Sequence, residues 1–194
     1  MLDMYKIKAI KFGSFKLKSG MISPVYIDLR VLVSYPKVLK KIAQAYISIL
    51  RKINFKRMVA IPYTALPIVV NISAINNKPW IYTRKEVKDY GIKRPVEGEF
   101  KKGERVVMID DMITTGASKI ETVRPLKELG LNIKDIVVLV DREQGGKEQI
   151  ERQGYNFYSV FTITQWLRCL LKNKKLSTTK YSEVLTYLEN NKIS

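Results

Sequence analysis

The sequence predicts an α/β fold, with a central mostly parallel sheet flanked by helices and a small N-terminal hood. Three observations carry that prediction. Val106 to Ile109 form a short continuous apolar run that suits a strand covered on both faces, although periodicity alone leaves a buried helix open. Two adjacent carboxylates, Asp110 and Asp111, follow it, and then the small-residue turn Thr114-Thr115-Gly116-Ala117-Ser118. Strand-like apolar runs also alternate with helix-like segments along most of the 194 residues, the pattern of a parallel sheet with crossover helices. One domain fits this length, with residues 1–35 contributing the hood, 36–165 the core and 165–194 C-terminal helices.

Taken in order, Val25 to Leu29 is expected to be a strand of the hood. A helix is expected over Val38 to Ile53, because Leu39, Ile42, Ala43, Tyr46, Leu50 and Ile53 recur at helical spacing, with Ser34 and Pro36 as start signals. Met58 to Ile75 carries no charge over a length close to that of a membrane span, but Pro62 and Pro67 divide it. That division predicts a strand over Met58 to Ile61, a turn at Pro62-Tyr63-Thr64 and a helix beginning at Pro67. Further strands are expected over Trp80 to Arg84, Arg105 to Ile109, Asp135 to Val140 and Phe157 to Phe161. A helix from Gly116 to Leu129 should stop at Gly130 and be kinked or divided by Pro125. Gln165 to Ser194 reads as two amphipathic helices around Lys172 to Ser177, packing through Leu185, Tyr187 and Leu188, with Trp166 as an anchor and Cys169 as a small core residue.

Composition narrows the chemistry. There is no histidine and a single cysteine, so an intramolecular disulfide, Cys/His metal centres and His-based triads are excluded, and any metal must take oxygen ligands. The N-terminus alternates charged and apolar residues without an uninterrupted apolar core, unlike a secretory signal, so a cytoplasmic protein with no membrane association is expected. A net charge of +17 permits nucleic-acid binding. However, the lysines and arginines are spread along the chain, with only a modest excess at the C-terminal end, and polyanionic substrates account for them more simply.

The acidic pair and the turn after it divide a binding task. Ligands bind at the carboxyl edge of an open α/β sheet, where a small-residue turn at a helix N-terminus can aim backbone N–H groups at an anion. Carboxylates repel phosphate but accept hydrogen bonds from vicinal sugar hydroxyls, so the stretch reads as a site for a ribose phosphate. The plainer alternative is a solvated acidic turn. Between Arg84 and Arg105 lies a long charged segment with Lys85, Lys88, Lys93 and Arg94; it reads either as a lid over a pyrophosphate or as a solvated hairpin.

RVVMIDDMITTGAS, Arg105 to Ser118, resembles the signature of type I phosphoribosyltransferases, in which two acidic residues grip the ribose hydroxyls of phosphoribosyl pyrophosphate (PRPP) and the small-residue loop grips its 5-phosphate. FKLKSGMISPVYIDLR (Phe15 to Arg30), IPYTALP (Ile61 to Pro67), RKEVKDYG (Arg84 to Gly91) and VDREQGG (Val140 to Gly146) resemble, in order, segments of orotate phosphoribosyltransferases, including the phosphoribosyltransferase domain of eukaryotic uridine monophosphate (UMP) synthase. The resemblance implies the type I phosphoribosyltransferase fold and transfer of the phosphoribosyl group from PRPP to orotate, the first of two steps, with no room here for the decarboxylase domain.

It also implies roles by position. Lys18 would contact PRPP and orotate; Tyr26 and Ile27 would line the orotate; Tyr63 and Thr64 would approach the pyrophosphate. Arg84, Lys85, Lys88 and Tyr90 would close over it, reaching the neighbouring subunit of a homodimer. Asp110, Asp111, Met112, Ile113, Thr114, Thr115, Gly116, Ala117 and Ser118 would bind the ribose 5-phosphate, with Thr114 also near orotate, and Arg142 would pair with the orotate carboxylate. Mg²⁺ would be held mainly by PRPP oxygens and water. Tyr90 replaces a lid histidine, and Thr64 a lysine, found in bacterial members. Lys88, Asp110 and Asp111 are the expected catalytic groups; Lys88→Ala should lower kcat about a hundredfold, more than it weakens PRPP binding, in steady-state assays.

Two other readings stay open. One is a phosphoribosyltransferase for another base, although a neutral base would leave Arg142 buried without its carboxylate unless Asp141 or Glu143 pairs with it. The other is a non-catalytic PRPP-sensing regulator that binds nucleic acid, which a gel-shift titration at physiological salt would reveal as tight, sequence-dependent binding. A separate orotidine monophosphate decarboxylase is a possible associate.

Overall fold

The computed structural model describes residues 1–17, 20–84 and 95–193. The chain opens with a one-turn helix α1 (Leu2–Lys6), followed by β1 (Ile10–Lys16) and β2 (Ile22–Ile27), which pair antiparallel as a two-stranded hood. The hood strand lies three residues earlier than Val25 to Leu29, because Asp28 caps a 3-10 turn over Leu29–Ser34 by accepting from Arg30 N. β1 was not expected from the sequence. The helix α2 (Pro36–Leu50) follows with Pro36 in its first turn, and buries Leu39, Ile42, Ala43, Tyr46, Ile47 and Leu50 on one face.

The uncharged stretch after Met58 resolves into β3 (Arg57–Ala60), a turn through Pro62-Tyr63-Thr64, and α3 (Ala65–Asn76). This helix starts two residues before Pro67, which therefore stands in its first turn, where a missing N–H leaves no bond unmade. The Pro62–Tyr63 peptide is cis. Among the described residues no helix is long and apolar enough to cross a membrane. Next come β4 (Trp80–Thr83) and the two-residue β5 (Val96–Glu97). They are followed by β6 (Arg105–Ile113), α4 (Ala117–Glu128), β7 (Asn132–Asp141), α5 (Gly146–Arg152) and β8 (Asn156–Thr162). The chain closes with α6 (Ile163–Lys172) and α7 (Thr178–Asn190).

Among the described residues the central sheet has the order β5-β4-β3-β6-β7-β8, parallel throughout except for the antiparallel edge strand β5. Its strands are almost fully buried: Val106, Val107, Met108, Ile109, Val137 and Val138 are all 0% exposed, as a sheet covered on both faces requires. The strand order reverses between β3 and β6, since β4 lies on one side of β3 and β6 on the other. The crevice at that reversal, at the carboxyl ends of the strands, is where an open α/β sheet places its ligand.

Two expectations change. The strand β6 does not end at Ile109 but continues through Asp110, Asp111 and Met112 to Ile113, because Met112 and Ile113 still pair with Val140 and Asp141 of β7. The helix α4 runs through Pro125 unbroken and ends before Gly130, which has a positive φ of 80°. In the C-terminal pair, α6 buries Trp166 and donates from its indole Nε1 to Met1 O at 3.2 Å, and α7 buries Val184 and Leu188 with Leu185 and Tyr187 packed against the core. Cys169 is only half-buried, on the flank of α6, so it is not a core residue.

Candidate active site

Three loops converge at the reversal point: Ile61 to Thr64 after β3, Asp110 to Ser118 from the end of β6 into α4, and Arg142 to Gly145 after β7. Backbone bonds lock them together. Ile61 N donates to Ile109 O at 3.0 Å, and Arg142 N donates to Ile113 O at 3.1 Å. Gly146 permits the second contact, for a Cβ there would stand 2.5 Å from Ile113 Cγ1 and 2.6 Å from Thr114 O. Gly146→Ala should therefore push the Arg142 loop off the phosphate loop and cost about 1–3 kcal/mol, a fall in melting temperature readable by calorimetry. Gly116, at φ +85°, makes the turn that ends the phosphate loop and opens α4.

Asp110 and Asp111 are not equivalent. Asp110 is 5% exposed; its Oδ1 accepts from Asp111 N at 2.8 Å and its Oδ2 lies 2.5 Å from Lys119 Nζ. Its own carbonyl accepts from the Tyr46 hydroxyl at 2.6 Å, which ties the strand end to α2. Asp111 is half-buried and hydrogen-bonded by the Thr64 side chain, so the turn after β3 and the end of β6 meet across the crevice. Burial, reinforced by the neighbouring Asp110 charge, pushes the Asp111 carboxyl up to about 7. Burial also pushes the Tyr46 phenol well above its ordinary value, so it stays a neutral donor.

Arg142 stands on the other wall. Its Nε is buried without a hydrogen-bond partner among the described residues, and burial holds its guanidinium below the ordinary range. The two neighbouring carboxylates make other bonds: Asp141 Oδ1 accepts from Glu143 N at 2.8 Å, and Glu143 Oε2 accepts from Thr164 N at 2.9 Å. Glu143 adopts a left-handed φ of 56°, a conformation that costs a non-glycine residue on the order of 1 kcal/mol, and these bonds hold it there. The C-terminal segment braces the same loop, with Gln144 Nε2 donating to Asn191 O and Ile193 N to Gln144 O, both at 3.3 Å. Tyr187 of α7 lines a cleft of about 350 Å³ with Gly13, Ile22 and Pro24 of the hood. A cavity of about 500 Å³ at the opposite strand ends, between Arg57, Val96, Phe100 and Leu129, lies away from the acidic pair.

The sequence-predicted residues thus fall into four groups. Thr64, Asp110, Asp111, Met112 to Ser118 and Arg142 are brought to one crevice, with Tyr63 64% exposed at its rim. Tyr26 and Ile27 lie on the hood strand β2, where the Tyr26 hydroxyl accepts from Arg30 at 3.1 Å and Ile27 packs on the core. Arg84 directly follows β4 and is ion-paired with Glu97. Lys18, Lys85, Lys88 and Tyr90 lie outside the described residues. Lys119 was missed. A lysine in the first helical turn, where the macrodipole disfavours a cation, was the available signal for it.

The chain matches no protein-family model. It is 35% identical over 193 residues to the orotate phosphoribosyltransferase of Staphylothermus marinus, covering 100% of this chain and 95% of that one. The chain belongs to the orotate phosphoribosyltransferase family. It is also 39% identical over 190 residues to bovine uridine 5'-monophosphate synthase, covering 97% of this chain but 40% of that protein's length. The solved structure of Leishmania donovani UMP synthase superposes with a TM-score of 0.89 at 41% identity, over 96% of this chain and 41% of that one. The fold is that of type I phosphoribosyltransferases.

Proposed function

We propose that this chain transfers the 5-phosphoribosyl group of PRPP to N1 of orotate, releasing pyrophosphate and giving orotidine 5'-monophosphate for pyrimidine biosynthesis. The observation that carries this reading is Arg142: its Nε is buried with no hydrogen-bond partner among the described residues, and its backbone N–H donates to the strand that bears the acidic pair. A guanidinium can hold a planar carboxylate through two parallel hydrogen bonds.

In this reading Asp111 and the free acceptor positions of Asp110 hold the ribose hydroxyls, and the N–H groups of Thr114 to Ser118 hold the 5-phosphate. Arg142 aligns orotate so that N1, ionised without a protein base, faces the anomeric carbon. The C–O bond to pyrophosphate breaks as the N–C bond forms, with inversion. The protein supplies position and charge, and no covalent nucleophile is needed. Mg²⁺ would be held mainly by PRPP oxygens and water, and Asp111, at the crevice, would accept a hydrogen bond from such a water. When bound, the ion neutralises the leaving pyrophosphate. Lys18, Tyr63, Thr64, Arg84, Lys85, Lys88 and Tyr90 complete the pyrophosphate side, the lid residues acting across a homodimer in the cytoplasm. Fusion to a second enzyme unit in the UMP synthase relatives supports association with a separate decarboxylase that consumes the product.

The Asp111 shift sets a pH response. A carboxyl that binds its proton more tightly when folded contributes stability at acid pH that is lost as pH rises through about 7. Binding runs the other way, since a protonated Asp111 is a poorer acceptor. Affinity for ribose 5-phosphate should therefore weaken roughly tenfold between pH 7.5 and 5.5 by calorimetry, while the 2-deoxy analogue responds less. Incubation with PRPP, Mg²⁺ and orotate, analysed by mass spectrometry, should yield orotidine 5'-monophosphate and pyrophosphate in equal amounts; PRPP binding without product would overturn the assignment.

A further inference from the structure

We propose that Lys119 is a positioning residue for PRPP, acting through Asp110. This rests on the PRPP-binding reading of the crevice, and nothing above gives Lys119 a role. Its side chain is 9% exposed, that of Asp110 is 8% exposed, and Nζ lies 2.5 Å from Oδ2. The residue is the third of α4, directly after the phosphate loop, where the exposed N–H groups and the helix dipole already favour an anion and disfavour a cation. A lysine there would ordinarily extend into solvent, with its long side chain free to move. Here it turns inward and gives up that freedom to meet one carboxylate.

Two consequences follow for the site. First, Asp110 is held at both oxygens, Oδ1 by Asp111 N at 2.8 Å and Oδ2 by Lys119, so its plane is fixed before substrate arrives. Each oxygen keeps a second acceptor position for a ribose hydroxyl. Second, Lys119 cancels one of two adjacent negative charges. A polyanion entering the crevice meets the acidic pair with a net charge nearer −1 than −2, and like charge at this range is a strong barrier in a poorly hydrated site. Lys119 thus makes an acidic sugar grip compatible with a phosphate ligand.

The test is PRPP affinity by calorimetry in the presence of Mg²⁺, which needs no turnover of orotate. Lys119→Met should weaken PRPP binding about tenfold or more, and Lys119→Arg should retain it within about threefold. In the Asp110→Asn background, adding Lys119→Met should cost clearly less affinity than in the wild type, because Lys119 then has no carboxylate to hold and only its own charge is lost. If Lys119→Met does not fold, Lys119→Gln, which keeps a hydrogen bond to Asp110 but removes the charge, replaces it and should weaken PRPP binding at least about threefold, unchanged affinity overturning the proposal. Unchanged affinity in Lys119→Met overturns the proposal, as does an equal loss in both backgrounds, which would mean direct contact with the ligand. If the wild type binds PRPP but does not consume orotate, the base assignment fails while the Lys119 result stands; if it does not bind PRPP, both fail.

Discussion

Replacing Arg142 with alanine is expected to raise KM for orotate by about a hundredfold to a thousandfold while leaving PRPP affinity within about threefold. The magnitude follows from truncating one partner of a desolvated charge pair, which costs roughly 2–5 kcal/mol. The selectivity follows from the site's geometry: Arg142 reaches the phosphate loop through its backbone, which the substitution keeps, and its side chain makes no bond to Asp110 or Asp111. Arg142→Lys should fall between, retaining charge but losing the two-pronged fit to a carboxylate. Steady-state kinetics with each substrate varied in turn measure the split. An unchanged KM for orotate would return Arg142 to a structural role.

The second large effect is on stability. Asp110→Ala is expected to destabilise the fold by about 3–5 kcal/mol, because it leaves the Lys119 ammonium buried without its counter-charge. Thermal unfolding should register this as a fall of roughly 6–20 °C. Adding Lys119→Met to Asp110→Ala should recover most of the loss, since two apolar groups then replace a broken pair. If Asp110→Ala melts with the wild type, the ion pair does not exist in solution as described.

Much of this architecture was legible because its signals are local. The apolar run of β6, the helical spacing of α2 and the proline-divided stretch into α3 each depend on neighbouring residues, and each element appears within a few residues of its expected place. The misses in the strands have one cause. Asp110 and Asp111 are poor strand formers, so the strand was expected to stop before them, but pairing of Met112 and Ile113 with Val140 and Asp141 carries it on. Pairing also explains the hood strand β1, whose alternating residues in Ile10–Lys16 gain a partner only when Ile22–Ile27 folds back. The site divides in the same way. The acidic pair, the phosphate loop and Arg142 are written as contiguous motifs, whereas the Lys119 clamp and the bracing of the Arg142 loop by Asn191 and Ile193 arise from tertiary packing.

The most direct test of the assigned chemistry is the ratio of kcat/KM for orotate to that for uracil, at fixed PRPP and Mg²⁺. The two bases differ by the carboxylate that Arg142 is placed to receive. A site that reads this carboxylate through Arg142 should favour orotate by at least about a thousandfold. Equal or better use of uracil would contradict the account, since it would show that a neutral base satisfies the pocket and that Arg142 does not read the substrate.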